Sequence, residues 1–401
     1  MPEKKYNFET ISSRYTVGSP KWEEIARTFP DRPEDILPFS VADMELENAP
    51  EIKEGLKKYI DENVLGYANP TPAYYKAVKG WMKRRHDWDV KEEWIIRTPG
   101  VIKAFFTAVK AYTKPGEGVL LLTPSYYPMY TAIDVNGRKR VCSSLVNKAG
   151  RYEIDWDDFE TKAALPDTKL FILCSPHNPS SRVWTREELE RMGRICIDND
   201  VVICSDEIHF DIVMPGYRHY VFAALSEELA QHSVICTAPS KTFNLAGLQN
   251  SNIIIPNEEL RRPFYELLCT EMTNPKCNIL GYEATRIAYD ECEAWLSECL
   301  AVIDANRRAV EEYLAREIPE IRLTPMEGTY LLWMDFNALD IPYKELGEYL
   351  RTEARLFFDD GYLFGPEGEG FERWNLACPT RYVTEGLARM KDALDKWKAQ
   401  H

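Results

Sequence analysis

The chain has 401 residues, with 49 basic and 64 acidic side chains and a formal charge of −15. A surface this acidic repels phosphate backbones and anionic lipid, which excludes nucleic acid and membrane as expected partners. The length favours two packed domains over one core, and 45% hydrophobic with 28% charged residues is the balance of an ordinary soluble globular protein.

The N-terminal stretch "MPEKKYNFET" is charged and lacks an apolar core, so no signal peptide is expected. Periodicity is weak over residues 1–45, which are expected to form a segment lying on a C-terminal domain. "KRRH" (83–86) reads as a solvated helix face. In "RTPGVIKAFFTAVKAY" (97–112) a glycine, Gly100, immediately precedes a helical pattern. Short β-rich apolar runs follow at "GVLLLT" (118–123), "KLFILC" (169–174), "VVIC" (201–204), "SVIC" (233–236) and "NIII" (252–255). Between two of them lies "TREELERMGRICIDND" (185–200). It opens with Thr185 and Glu188 as a capping box and carries Leu189, Met192 and Ile195 at helical spacing. From about residue 283 one long helical stretch runs to about 318, followed by a strand-like "GTYLLWMDF" (328–336) and a closing helix (383–399). The expected organisation is an N-terminal segment (1–45), a large domain (46–285) and a smaller α+β domain (286–401), with the long helix crossing the boundary.

Apolar strands alternating with amphipathic helices imply an α/β fold whose sheet is mostly parallel and buried on both faces. None of the apolar runs is long enough to span a bilayer. The ten cysteines form no CxxC pair and no Cys/His cluster at metal spacing. No metal is expected, and reduced thiols imply the cytoplasm.

Open α/β sheets bind ligands at the carboxyl ends of their strands, beside helix N-termini. The apolar runs lead into "PSYYP", "SPHNP", "SDEIH" and "TAPSKT", which brings Tyr126, Asn178, Asp206 and Lys241 to one sheet edge. Singly, such residues are ordinary turn or capping residues. Together they are the set a pyridoxal phosphate site needs. The lysine amine joins the aldehyde, a carboxylate keeps the pyridine nitrogen protonated, and an aromatic ring stacks on the cofactor. An amide serves the phenolate oxygen, while a helix start and a hydroxyl, here Gly100 and Ser240, serve the phosphate. The chain contains no GxSxG elbow, no GxxxxGK[ST] loop, no HExxH and no GxGxxG after a strand.

Longer stretches carry a resemblance. They are "FSVADMEL" (39–46), "GYANP" (66–70), "TPGVIKAF" (98–105), "PSYYPMY" (124–130), "SPHNPSSRVW" (175–184), "SDEIHFDIV" (205–213), "APSKTFNLAGLQNSNI" (238–253), "EGTYLLWMDF" (327–336) and "RWNLACP" (373–379). In these the chain resembles fold-type I pyridoxal phosphate enzymes of the class I/II aminotransferase family. More narrowly, it resembles the MalY/PatB-type cystathionine β-lyases, or C–S lyases. The resemblance implies a seven-stranded sheet in the large domain and a homodimeric active unit. It makes Lys241 the cofactor-bearing lysine and catalytic acid/base, Asp206 the partner of the pyridinium nitrogen, and Tyr126 the stacking ring. Asn178 and His209 then serve the phenolate oxygen, while Gly100, Val101, Ile102 and Ser240 hold the phosphate. Tyr67 reaches the phosphate of the neighbouring subunit. Arg373 clamps the substrate α-carboxylate, with Ala42 of the "FSVADMEL" stretch lining the substrate pocket.

Two departures from the wider family are visible. Gln249 stands eight residues after Lys241, where many aminotransferases carry an arginine, and this favours a lyase over a transaminase. Ser175 and Ser181 replace the usual residues of an NPHNPTG motif. Lys103, close to the phosphate stretch, reads as a solvated helix lysine. The implied activity is β-elimination from L-cystathionine or related S-substituted cysteines, giving a thiol, pyruvate and ammonia. The alternative is an aminotransferase of the same family.

Overall fold

The computed structural model describes residues 6–31, 33–272 and 276–400. The first five residues of the charged N-terminal stretch lie outside them.

Seven strands form the main sheet: β1 (Ile95–Thr98), β2 (Gly118–Thr123), β3 (Lys139–Ser144), β4 (Thr168–Cys174), β5 (Val202–Asp206), β6 (Ser233–Thr237) and β7 (Ser251–Ile254). Their spatial order is β1-β7-β6-β5-β4-β2-β3. The neighbouring pairs from β6 to β3 are parallel, whereas β7 runs antiparallel to both β6 and β1. The expectation of a mostly parallel sheet therefore holds, and the apolar run at 252–255 is its one reversed strand. Residues 238–250, which carry the lysine turn, connect it to β6, and the chain turns back antiparallel beside that strand. β2 and β6 are buried along their whole length, as strands covered on both faces must be.

The capping box forms. Thr185 Oγ1 accepts from the Glu188 N–H (3.2 Å), and the Thr185 N–H donates to Glu188 Oε2 (2.8 Å), at the start of the helix Arg186–Asp198. The stretch expected as one long helix is two, Ile279–Glu291 and Glu293–Glu317, interrupted at Cys292 (φ −109°, ψ 18°). The first packs on the helices Pro50–Glu62 and Pro72–His86; the second packs on Thr380–Gln400. Tyr289 stacks on Trp81 at 4.9 Å, whereas Trp295 lies against Phe8 at 5.6 Å and Phe243 at 6.0 Å. Phe243 also lies 6.2 Å from Tyr289, so one aromatic cluster spans the break.

A second, antiparallel sheet is built from Arg322–Leu323, Leu331–Asp335, Phe371–Asn375 and Asp359–Asp360. The N-terminal segment lies beside it. Leu37–Pro38 pairs with Leu356–Phe357, and Phe39 stacks on Phe358 at 5.6 Å. Glu327 is buried with Arg182, and the half-exposed Arg151 reaches it from the surface. Its Oε2 accepts from Arg182 Nε (3.0 Å) and the Val183 N–H (2.9 Å), and its Oε1 accepts from Arg151 Nε (2.9 Å).

Candidate active site

The parallel strands end in register, so the residues that follow them share one edge. Asp206 closes β5 and Cys174 closes β4; Asn178 and Tyr126 follow β4 and β2 by a few residues, and Lys241 follows β6. There they line a cavity of about 290 Å³ with Ala42, Gly100, Val101, Ile102, His209, Ser240 and Gln249. The helix Val101–Tyr112 begins at this cavity with Gly100 as its N-cap. Its first-turn N–H groups have no partner within the helix, which gives the cavity a positive wall.

The lysine turn is held from several sides. Pro239 opens a single helical turn, Pro239–Thr242. The next residue after Lys241, Thr242, donates through Oγ1 to Asp211 Oδ2 (2.8 Å), a buried carboxylate that also accepts from Trp81 Nε1 (3.1 Å) and lies 2.8 Å from His86 Nε2. Asn244 sits at φ 55°, and its side chain exchanges two 3.0 Å hydrogen bonds with the backbone of Met44. This fixes the stretch 39–46 against the lysine turn. Lys241 Nζ donates to the Ala42 carbonyl (2.6 Å), which also accepts from the Tyr330 hydroxyl (2.8 Å).

Burial shapes the charges. The Lys241 pKa falls to about 8: desolvation dominates, Arg373 adds to it, and Asp43 and Asp206 oppose it. The Asp206 pKa rises to about 7, again by desolvation, with the Ile208 N–H (3.1 Å) and Lys241 pulling the other way. Burial, with the positive charges of Lys241 and Arg373, holds His209 neutral. Its Nδ1 is buried and has no hydrogen-bond partner among the described residues. Burial also raises the Tyr126 hydroxyl pKa.

Arg373 does not line the cavity but reaches its wall. Its Nη1 donates to Asn178 Oδ1 (2.8 Å), which leaves the Asn178 amide nitrogen as the donor end. Its Nε and Nη2 bind Asp359 Oδ2 at 3.2 and 2.5 Å. Tyr67 lies apart, fully exposed on the loop between Pro50–Glu62 and Pro72–His86. Lys103 borders the cavity, but its ammonium pairs with Glu271, which Lys110 also contacts at 2.6 Å. Sequence reasoning missed Asp359, Tyr330 and Cys174. Cys174 was findable as the last residue of "KLFILC", whereas the other two face the site only through folding of the second sheet.

A lysine and an aspartate at the ends of adjacent parallel strands, on a seven-stranded sheet of this order, define a fold-type I pyridoxal phosphate enzyme fold. Residues 34–390 match the aminotransferase class I and II model, and the chain belongs to that family, within its MalY/PatB-type subfamily. It is 39% identical to cystathionine β-lyase PatB from Bacillus subtilis over 97% of this chain and 100% of that one. Cystalysin from Treponema denticola, whose crystal structure contains a pyridoxal 5′-phosphate cofactor, superimposes with a TM-score of 0.95 at 46% identity, covering 98% of this chain and 99% of its own. The pyridoxal phosphate-bound C–S lyase from Staphylococcus hominis gives a TM-score of 0.90 at 31% identity, covering 98% of each chain. Among the described residues, no helix is long and apolar enough to cross a membrane.

Proposed function

We propose that the chain is a pyridoxal phosphate-dependent C–S β-lyase. It converts L-cystathionine, or a related S-substituted cysteine, and water into a thiol, pyruvate and ammonia. One observation carries the reading: Lys241, Asp206, Asn178, Tyr126, His209 and a helix N-terminus surround one cavity.

The residues fit the cofactor. The unpartnered His209 Nδ1 and the free amide end of Asn178 are polar groups that a phenolate oxygen would satisfy. The open N-terminus at Gly100, Val101 and Ile102, with the Ser240 hydroxyl, suits a phosphate; a Cβ added at Gly100 would meet no atom within 4 Å. Tyr126 offers a ring face and Asp206 a carboxylate for a pyridine nitrogen. Bound there, pyridoxal phosphate supplies an aldehyde for the substrate amine and a ring that draws electrons from Cα.

The chain's own groups do the rest. Lys241 has a pKa lowered to about 8, so about a tenth of its amine is neutral at pH 7, far more than for an ordinary lysine, and able to take the Cα proton at Nζ. A carboxylate at Asp206 keeps the opposing nitrogen protonated. Arg373 clamps the substrate α-carboxylate with its remaining N–H groups, and Ala42 closes the pocket over Lys241. Gln249, also on the cavity wall, is neutral where an arginine would add positive charge to the phosphate.

The active unit is a homodimer, in which the exposed Tyr67 binds the phosphate of the second copy. Exposed Val64 and Leu65 beside it support burial against that copy. The ten cysteines are all free thiols, which supports a cytoplasmic location. The boundaries near residues 45 and 285 are kept as the domain limits. An aminotransferase shares the early steps, but Gln249 weighs against it.

The test is incubation of the cofactor-loaded enzyme with L-cystathionine and no keto acid. Pyruvate and free thiol should appear in equal amounts. Transamination that depends on an added keto acid, without thiol release, would establish the aminotransferase instead.

A further inference from the structure

Arg373 is almost fully buried and its acidic partner Asp359 is partly buried, with side chains 2% and 12% exposed. The two face each other across adjacent strands of the second sheet. A guanidinium has five N–H donors in a plane. Asp359 Oδ2 takes Nε–H and one N–H of Nη2, the side edge of the fork, and Asn178 takes one on Nη1. One N–H is left on each terminal nitrogen, enough for a two-pronged contact with a carboxylate.

The same Oδ2 accepts a third donor, the Val41 N–H at 3.0 Å. Val41 sits at φ 51°, a left-handed conformation that a β-branched residue adopts only under restraint. Its carbonyl is held by Asn375 Nδ2 (2.8 Å). The next residue is Ala42, whose carbonyl receives Lys241 Nζ. One carboxylate oxygen therefore grips both the arginine and the strained backbone that ends on the lysine.

We propose that Asp359 is a positioning residue: it fixes the fork of Arg373 and, through Val41, the Ala42 carbonyl on Lys241, so that the carboxylate clamp and the proton-transferring amine are set by one side chain. The inference rests on Arg373 being the carboxylate clamp. Asp359 touches neither reacting atoms nor cofactor in this scheme.

The experiment compares Asp359→Ala and Asp359→Asn with wild type, all cofactor-loaded. Propionate, a carboxylate without an amine, is titrated by calorimetry, and KM and kcat for L-cystathionine are measured beside it. Propionate binding needs no turnover, so it tests the clamp even if cystathionine is not cleaved. In Asp359→Ala the propionate Kd and the KM should both rise about tenfold, and kcat should fall by about fivefold or more as the Ala42 carbonyl loses its restraint. Asp359→Asn keeps an oxygen for the Val41 N–H and the arginine edge, and should stay within about threefold of wild type on all three. If Asp359→Ala does not fold, Asp359→Asn alone decides: propionate binding weakened about tenfold or more overturns the proposal. So does Asp359→Ala binding propionate as tightly as wild type, or keeping the wild-type kcat.

Discussion

Replacing Asp206 by asparagine should stabilise the cofactor-free protein, and the gain should grow with pH. Burial raises the Asp206 pKa to about 7 from an ordinary 3.8. An acid that holds its proton more tightly when folded costs nothing below its unfolded pKa. It removes stability progressively as pH rises between the two values, and the loss is complete above the folded one. At about 1.4 kcal/mol per pH unit, the wild type should lose about 2.5 kcal/mol between pH 5 and pH 8 through this group. Asparagine does not titrate and keeps an oxygen for the Ile208 N–H. The Lys241 amine, lowered to about 8, titrates in both proteins and largely cancels. The assay is urea unfolding of both cofactor-free proteins at pH 5 and pH 8, read as the change in their stability difference. A difference that is the same at both pH values, or that turns against asparagine at pH 8, would refute the reasoning. Loading with pyridoxal phosphate should erase the wild-type loss, because the carboxylate then faces a protonated ring nitrogen. Stability given up in the empty site is the expected companion of a charge placed for function.

Arg373→Lys keeps the positive charge and loses the planar fork. Loss of one charge-assisted hydrogen bond of about 1.5–3 kcal/mol should raise the KM for L-cystathionine by roughly 10- to 150-fold; a steady-state KM within twofold of wild type would contradict the clamp. Glu327→Gln removes one of the two carboxylates on the buried guanidinium of Arg182, Glu188 at 2.8 Å being the other, and urea unfolding should show a loss of about 1–3 kcal/mol with no change in the cofactor's visible absorbance. Tyr67→Phe should weaken pyridoxal phosphate retention in dilution experiments while leaving the cofactor-free melting temperature unchanged, since Tyr67 packs against nothing in its own subunit.

The strand ends were legible because each apolar run passes directly into its polar residue, and parallel strands in one sheet place those residues at one edge. Lys241, Asp206, Asn178 and Tyr126 needed no tertiary detail beyond that. The reversal of β7 was not legible: "NIII" has the same texture as its neighbours, and its direction shows only in its antiparallel pairing with β6 and β1. The break at Cys292 carries no glycine or proline, and no residue in its sequence marks it. The N-terminal segment shows weak periodicity because side chains from distant stretches hold much of it. Asn244 and Asn375 bind its backbone, and the buried Lys21 pairs with Asp43 and Glu45 at 2.9 and 3.0 Å. Asp359, in "FFDDG", looks like a turn aspartate; cross-strand register alone brings it to Arg373.

Sodium borohydride locks a cofactor aldehyde onto the amine that carries it. Reduction of the pyridoxal phosphate-loaded protein, followed by peptide mass mapping, should find the pyridoxyl group on the peptide containing Lys241 and on no other. A label on Lys103, the other lysine at the cavity, or no label at all, would contradict the assignment of the site.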